Sequence, residues 1–413
     1  MASLISVAEA QQFIIDQVDV APLHRVLLGE ASGLSLRAEI TSPQPSPLFD
    51  KSLMDGFAVR TADLQSETVT LNVLETVSAG EVGEHCLAAG EAIQIMTGAP
   101  LPAGADAVIP VELSQREPGQ PVVHLQTVGI GPEKNLIRRG AILEPGQKLL
   151  AAGTIIRPAE IALLAELGYS EIEVSTKPVI SILATGDELV PVGEPLGPGQ
   201  IRNSNAPMLM SQVQRAGGNP QNIGIGRDRL DDLREKVARG LESDFLLLSG
   251  GVSAGEKDLV PQVLKECGVL EIFHKVHVKP GKPVWFGVQE KSNGKKTYVF
   301  GLPGNPVSSM LCFEVFVRPA IRRFLGMERV LPRMLKLPLS KAHVAAGGRP
   351  TYYPSKLVSQ ADGLAVEPVD WKGSSDLLAP TRADVWIRFP AGNRDYSIGE
   401  MVDVFAPDLS LNN

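Results

Sequence analysis

Val179-Ile180-Ser181-Ile182-Leu183-Ala184-Thr185-Gly186-Asp187-Glu188-Leu189 is an apolar run that stops in a glycine turn, and Phe245-Leu246-Leu247-Leu248-Ser249-Gly250-Gly251 repeats the arrangement. Runs that are apolar at successive positions belong to strands buried on both faces, the condition of a parallel sheet covered by helices. Helical patterns lie around them: residues 208–215 closed by Gly217-Gly218, residues 230–241, residues 259–266, and a long helix from Pro306 expected to break near Pro319. Further strands are expected near 272–278, 284–288 and 297–301. The spacing therefore predicts an α/β domain over residues 178–326.

Outward from this domain the pattern changes. Ser6-Val7-Ala8-Glu9 has capping-box spacing and opens a helix that Pro22 ends. Thr41 to Pro47 carries prolines at alternate positions, so it should run extended between two units. From about 57 to 138 the strands are short, with Val69, Leu71 and Val73 on one face and frequent Gly and Pro turns. Residues 154–168 return to helix, Pro158 in its first turn and Gly168 at its end. After about 332, alternation at Leu335, Leu337 and Leu339 and near 363–367, 384–389 and 400–405 predicts a C-terminal β barrel. The fold class is thus α/β plus β, divided as follows: 1–48 with 139–177, an inserted β subdomain 49–138, the α/β domain 178–326, and a barrel 327–413.

Composition narrows the function. With 413 residues, 44% hydrophobic and 21% charged, the chain is globular and multi-domain. A net charge of −8 gives no general field for nucleic acid. Three scattered cysteines without C-x-x-C pairing argue against a disulfide framework or thiolate zinc site and fit a reducing cytoplasm. Neither a signal sequence nor an apolar run of about 18 residues is present, so membrane insertion loses support.

In an open α/β sheet ligands bind beyond the carboxyl ends of the strands. The loops to read are Thr185 to Leu189, Ser249 to Asp258, Lys279-Pro280-Gly281-Lys282-Pro283 and Gly301 to Pro306. Around Ser249, Gly250 and Gly251 the missing Cβ atoms let backbone N–H groups approach phosphate oxygens, although a tight strand-to-helix turn is the plainer explanation. Asp258 serves equally as a helix cap. Asp187 and Glu188 are oxygen ligands suited to Mg²⁺ beside a polyanion, or a solvated acidic turn. Lys279 and Lys282, stiffened by prolines, have the fixed directions an oxyanion pocket needs; an exposed basic turn is the usual alternative. Lys275, placed on a strand four residues earlier, is expected to face the same side. Gly347-Gly348-Arg349-Pro350 and Lys372-Gly373-Ser374-Ser375 add a guanidinium and hydroxyls on turns that read otherwise as surface loops. His274 and His277 point to opposite faces at strand spacing, and no G-x-S-x-G or H-E-x-x-H occurs, which leaves zinc and hydrolase readings without an anchor.

Taken in order, Ser52-Leu53-Met54-Asp55-Gly56, Met96-Thr97-Gly98-Ala99-Pro100 with Gly104-Ala105-Asp106, Thr185 to Leu189, Ser249 to Asp258, Lys279 to Pro283 and Leu302 to Ser308 resemble the molybdopterin molybdenumtransferases. The chain is similar essentially end to end to this MoeA family and to the equivalent domain of gephyrin. The resemblance implies a four-part fold and insertion of molybdate into adenylylated molybdopterin, releasing AMP with Mg²⁺ assisting. It implies that Lys282, Pro283, Ser308, Arg349 and Ser374 hold molybdate. Asp187, Glu188, Asp228 and Asp258 then fall around the metal and phosphate bridge, with Lys275 and Lys279 on the pterin phosphates. The same resemblance implies a homodimer whose partner chain supplies Asp55 and Thr97 to a shared cleft, and a transient contact with the adenylyltransferase that delivers the substrate. The roles it implies for Asp55, Glu188, Lys279 and Asp258 are catalytic.

Two departures stand out. Family members commonly carry Gly-Glu-Asp-Ile where Gly140 is followed here by Ala141-Ile142-Leu143, and an Asp where Asn203 precedes Ser204-Asn205. Two other functions remain open on sequence: the adenylyltransferase, which ordinarily has a T-G-G-T-G loop where Ser249 to Ser253 stands, and a scaffold without turnover.

Overall fold

The computed structural model describes residues 4–117, 119–252 and 259–406. The chain forms two compact units, one of Met1–Ala38, Ala152–Ala162 and Ser170–Asn413, the other of Glu39–Ala151 and Leu163–Tyr169.

The first unit is organised by a six-stranded sheet in the order 219–226, 179–185, 245–249, 296–302, 285–290, 270–274. The strands Asn219–Gly226, Val179–Thr185, Phe245–Ser249 and Lys296–Leu302 run parallel. Trp285–Glu290 pairs antiparallel with Lys296–Leu302, and the edge strand Leu270–His274 pairs antiparallel with Trp285–Glu290 and so runs in the direction of the first four. Both faces are covered, as the uninterrupted apolar runs require. Ile180, Ile182, Phe245 and Leu247 pack with the helices Val7–Gln17 and Asn205–Arg215, while Leu183, Leu246 and Leu248 pack with Leu230–Gly240 and Val260–Glu266. Each such side chain, fully withdrawn from water, contributes about 1.5–3 kcal/mol before entropy is counted.

The first helix is closed by its capping box: Glu9 N–H donates to Ser6 Oγ and Ser6 N–H to Glu9 Oε2. The expected break near Pro319 does not occur. Pro306–Cys312 passes through a π turn, Phe313–Val317, into Arg318–Phe324. The wider turn just before Pro319 accommodates a ring that would otherwise clash with a carbonyl of the preceding turn. Glu314 and Arg318 form a buried ion pair there, with Gln212 Nε2 donating to Glu314 Oε1 at 2.7 Å.

The C-terminal region is an antiparallel five-stranded sheet in the order Met334–Pro338, Met401–Phe405, Val385–Phe389, Thr351–Gln360, Gly363–Pro368. Leu339 bridges Val366, drawing the two edges together into a barrel. The strand Thr351–Gln360 escaped the sequence pattern because Pro354 interrupts it. At Pro354 the ladder has a partner on one side, Trp386; pairing with 363–368 begins at Ser355, so the missing N–H is tolerated.

The second unit holds a six-stranded mixed sheet built on Gly56–Val59, Thr68–Val77 and Glu91–Ile95. Phe57, Val59 and Leu71 bury one face, Ala58, Ile93 and Ile95 the other. The proline-rich stretch 41–47 does pair through its other residues: Ser42 N–H donates to Gln147 O and Ser46 N–H to Leu143 O. No helix among the described residues is long and apolar enough to cross a membrane.

Candidate functional site

The parallel strands 179–185, 245–249 and 296–302 end at one edge, bringing the loops after Thr185, Ser249 and Leu302 together. The Lys279 loop reaches the same edge by the antiparallel route. Trp285, where its following strand starts, pairs with Gly301 at the end of its neighbour.

Two adjoining cavities open there. The first, ≈ 840 Å³, is lined by Glu188, Asp228, Ser249, Gly250, Gly251 and Gly304, among others. The second, ≈ 730 Å³, is lined by Lys279, Lys282, Ser308, Arg349, Lys372 and Ser374 on its polar side. Pro283 and Asn305 line both.

In the first cavity Gly186 has φ +143°, and a Cβ there would collide with the Glu188 carboxylate. Glycine is thus what allows Glu188 to fold over the turn. Asp187 turns its Oδ1 to the Asp228 backbone N–H, 3.2 Å away. Desolvation, followed by the charges of Asp187 and Glu188, pushes the Asp228 carboxyl above its ordinary value. Asn205 ties the edge together, its Nδ2 donating to Ser249 Oγ and Gly304 O, both at 2.8 Å. Its buried Oδ1 and the buried Thr185 Oγ1 have no hydrogen-bond partner among the described residues, and both residues line the cavity. Buried polar atoms of this kind are satisfied by ligand or water.

In the second cavity Gly281 has φ +110°, and a Cβ on it would run into Cys312 Sγ, so the loop lies directly on the helix beneath. The barrel docks on this loop by backbone bonds: Lys279 N–H donates to Pro350 O and Tyr352 N–H to Lys279 O, both 2.8 Å. Arg349 is brought beside Lys279 and Lys282 in this way, its Nη1 donating to Val278 O at 2.9 Å. Ser374 is held over the helix 306–312 by Val307 N–H, 3.0 Å from its carbonyl. The opposite wall is aromatic, with His343 stacked on Phe389 at 4.6 Å and Tyr353 edge-on to Trp371 at 5.1 Å.

Lys275 corrects the sequence reading. The strand ends at His274 and Lys275 takes φ +71°, so the alternation that would align it with Lys279 is broken. It lines neither cavity. His274 and His277 bond to separate carbonyls, Val252 O and Gly348 O. Asp258 lies outside the described residues. Asp55 and Thr97 belong to the second unit. There Ser52 N–H donates to Ala99 O and Gly98 N–H to Ser52 O, joining the two turn motifs. Asp55 Oδ1 accepts from Thr97 N at 2.6 Å and Thr97 Oγ1 at 2.7 Å; the backbone bond, then the hydroxyl, holds the carboxyl below its ordinary value. Sequence reasoning missed Arg227, His343, Tyr353 and Trp371, none of which sits in a turn motif.

Mg²⁺ takes oxygen donors, commonly one or two carboxylates with substrate phosphates completing its shell. Among the described residues no group of three or more His, Cys, Asp or Glu forms a protein cage. The carboxylates at the first cavity fit the open kind of site.

Three family descriptions match the chain in order: MoeA N-terminal region (domain I and II) over 5–168, probable molybdopterin binding domain over 181–323, and MoeA C-terminal region (domain IV) over 336–406. The molybdopterin molybdenumtransferase of Staphylococcus aureus (strain N315) is 32% identical over 412 residues, covering 97% of this chain and 95% of its own. The chain belongs to the MoeA family. The Bacillus subtilis (strain 168) molybdopterin molybdenumtransferase is 35% identical over 376 residues, with 89% and 86% covered. The crystal structure of the molybdopterin biosynthesis MoeA protein from Pyrococcus horikoshii OT3 aligns with TM-score 0.80 at 28% identity, over 98% of this chain and 100% of that one.

Both departures from the MoeA pattern have a local structure. Asn203 Oδ1 accepts from Ala206 N–H at 3.1 Å, so it retains the cap of the helix that follows without a charge. Near Ala141 and the exposed Ile142, Arg138 pairs with Asp50 and Glu133, and Arg139 N–H donates to Asp50 Oδ1.

Proposed function

We propose that this protein inserts molybdenum into adenylylated molybdopterin, with molybdate as co-substrate and AMP as a product. The observation that carries the reading is the pair of adjoining cavities, one edged by carboxylates and glycine loops, the other by Lys279, Lys282 and Arg349, with Pro283 and Asn305 common to both. A tetrahedral dianion suits the second. Two ammonium groups and a guanidinium supply charge, and Ser308 and Ser374 supply hydroxyl donors. The phosphate bridge of the pterin suits the junction, within reach of Lys279.

The step that fits is in-line displacement. A molybdate oxygen bonds to the adenylate phosphorus as the P–O bond to the pterin phosphate breaks, and the electron pair leaves on that phosphate. The two dithiolene sulfurs then bond to molybdenum as it gives up two oxygens, one leaving on the phosphorus as AMP and the other as water with the two thiol protons. Lys279 neutralises the departing phosphate, and Arg349 and Lys282 orient molybdate. Asp187 and Glu188, with Asp258, would hold Mg²⁺, which supplies positive charge beside the phosphate bridge when bound. Glu188 and Asp228 line the first cavity with Ser249, Gly250 and Gly251, where the nucleotide would lie.

A homodimer in which the partner chain contributes Asp55 and Thr97 belongs to the same proposal. Its support is the apolar surface beside Asp55, where Leu53 is 48% and Phe49 43% exposed. The four-part division, with 1–48 and 139–177 as one part, belongs to the same proposal; its support is that the first matched segment is described as two domains and is followed by two more segments. Three free cysteines suit a cytoplasmic setting, where hand-over from the adenylyltransferase would occur. Molybdate-dependent AMP release from adenylylated molybdopterin tests the function. Absence of release, or release of pyrophosphate from ATP and molybdopterin instead, refutes it.

A further inference from the structure

Arg227 follows the strand Asn219–Gly226 and precedes Asp228. Its Nη1 lies 3.4 Å from Gly186 O, 3.1 Å from Asp187 O and 3.0 Å from Leu189 O, three carbonyls of the turn that carries Asp187 and Glu188. A guanidinium is always charged and planar, so it suits this shared hold on several carbonyls better than a neutral donor. Its own backbone is fixed from behind. Arg227 N–H donates to Asp232 Oδ2 at 2.7 Å, and Lys236 Nζ binds both Asp232 oxygens and Ile225 O. The next N–H, that of Asp228, takes the Asp187 carboxylate.

We infer that Arg227 is a positioning residue that clasps the Thr185–Leu189 turn and sets Glu188 against Asp228 at the lip of the first cavity. The catalytic consequence rests on the proposed function; the clasp itself does not. Without the clasp the turn retains Leu189 N–H to Gly186 O, 3.4 Å long, Gly186 N–H to Gly226 O, Ile201 N–H to Glu188 O at 2.9 Å and the Asp228 N–H on the Asp187 carboxylate, and none of these holds the Asp187 carbonyl.

Hydrogen exchange of the full-length protein tests the clasp directly. In Arg227→Ala and Arg227→Gln, amides of residues 186–190 should exchange about tenfold faster or more, while strand 245–249 and the melting temperature stay near wild type. In the AMP-release assay kcat should fall about 10–100-fold, as for loss of a supporting contact behind a functional carboxylate, with little change in KM for molybdate. Arg227→Lys retains the charge on a side chain one atom shorter, which leaves the ammonium short of the place Nη1 holds, and should recover less than half the lost rate. Unchanged exchange at 186–190 in both neutral variants would overturn the clasp. Full rescue by lysine would overturn it too, assigning the charge to substrate instead. If wild type releases no AMP, the functional reading fails and the exchange result still decides the clasp.

Discussion

The cavity around Glu188 and Asp228 is made mainly by strand-end loops of one sheet, whereas the cavity around Lys279 borrows Arg349, Ser374 and its aromatic wall from sequence 60 or more residues further on. In the first, geometry follows from strand register: once 179–185, 245–249 and 296–302 pair in parallel, their loops have nowhere else to go. In the second, position depends on docking of the barrel through Lys279, Pro350 and Tyr352 backbone bonds. The sheet thus supplies most of an edge of carboxylates and glycine loops by itself, and needs a second layer to gather the cations.

Gly186→Ala should break the first cavity with the largest effect. A φ of +143° is strained for alanine, at about 1–3 kcal/mol, and the new methyl displaces the Glu188 carboxylate. Displacing a functional group by about 1 Å costs about 100-fold, so AMP release should fall by that order while circular dichroism is unchanged. Wild-type turnover would detach Glu188 from the reaction. Arg349→Ala should act on the second cavity alone. Loss of a charge-assisted donor, about 1.5–3 kcal/mol, should raise the molybdate concentration for half-maximal rate by about 10–100-fold and leave the requirement for adenylylated pterin unchanged. Equal weakening toward both substrates would erase the distinction between the cavities.

Legibility in the sequence followed the same division. The parallel core was readable because Val179 to Ala184 and Phe245 to Leu248 are apolar at every position bar Ser181, a pattern that only double-sided burial explains. The loops followed from it. What sequence did not reveal depends on single backbone angles or on distant pairing. Lys275 leaves the strand because of one left-handed residue, and no residue type near it announces that. His343 and Trp371 meet at the second cavity by packing on Tyr353, whose strand was hidden by Pro354. Arg227 was passed over because its role is to hold carbonyls, and any arginine before a helix reads the same. The family resemblance supplied Arg349 and Ser374, which spacing alone left as surface turns.

Acidification gives the subtlest way to separate the two cavities, because their titrating groups are shifted in opposite senses to opposite thermodynamic effect. Burial lowers the His343 imidazole below its ordinary value. Between the folded and ordinary histidine values the unfolded chain holds a proton that the folded chain does not, so wild-type stability is lost as pH falls through that window. His343→Phe retains a ring against Phe389 and removes the proton, so its stability relative to wild type should improve from pH 8 to pH 5. Asp228 is raised, chiefly by desolvation. Above the ordinary aspartate value the unfolded chain ionises first, so this carboxyl costs stability at neutral pH. Asp228→Asn in metal-free buffer should then melt slightly higher than wild type at pH 7, the gap closing toward pH 3. Solvent screens both groups, so shifts of about 1–2 °C in Tm are expected. Thermal melts across pH 3–8 read both at once, and parallel curves for either variant would mean that its cavity does not impose the electrostatic environment described.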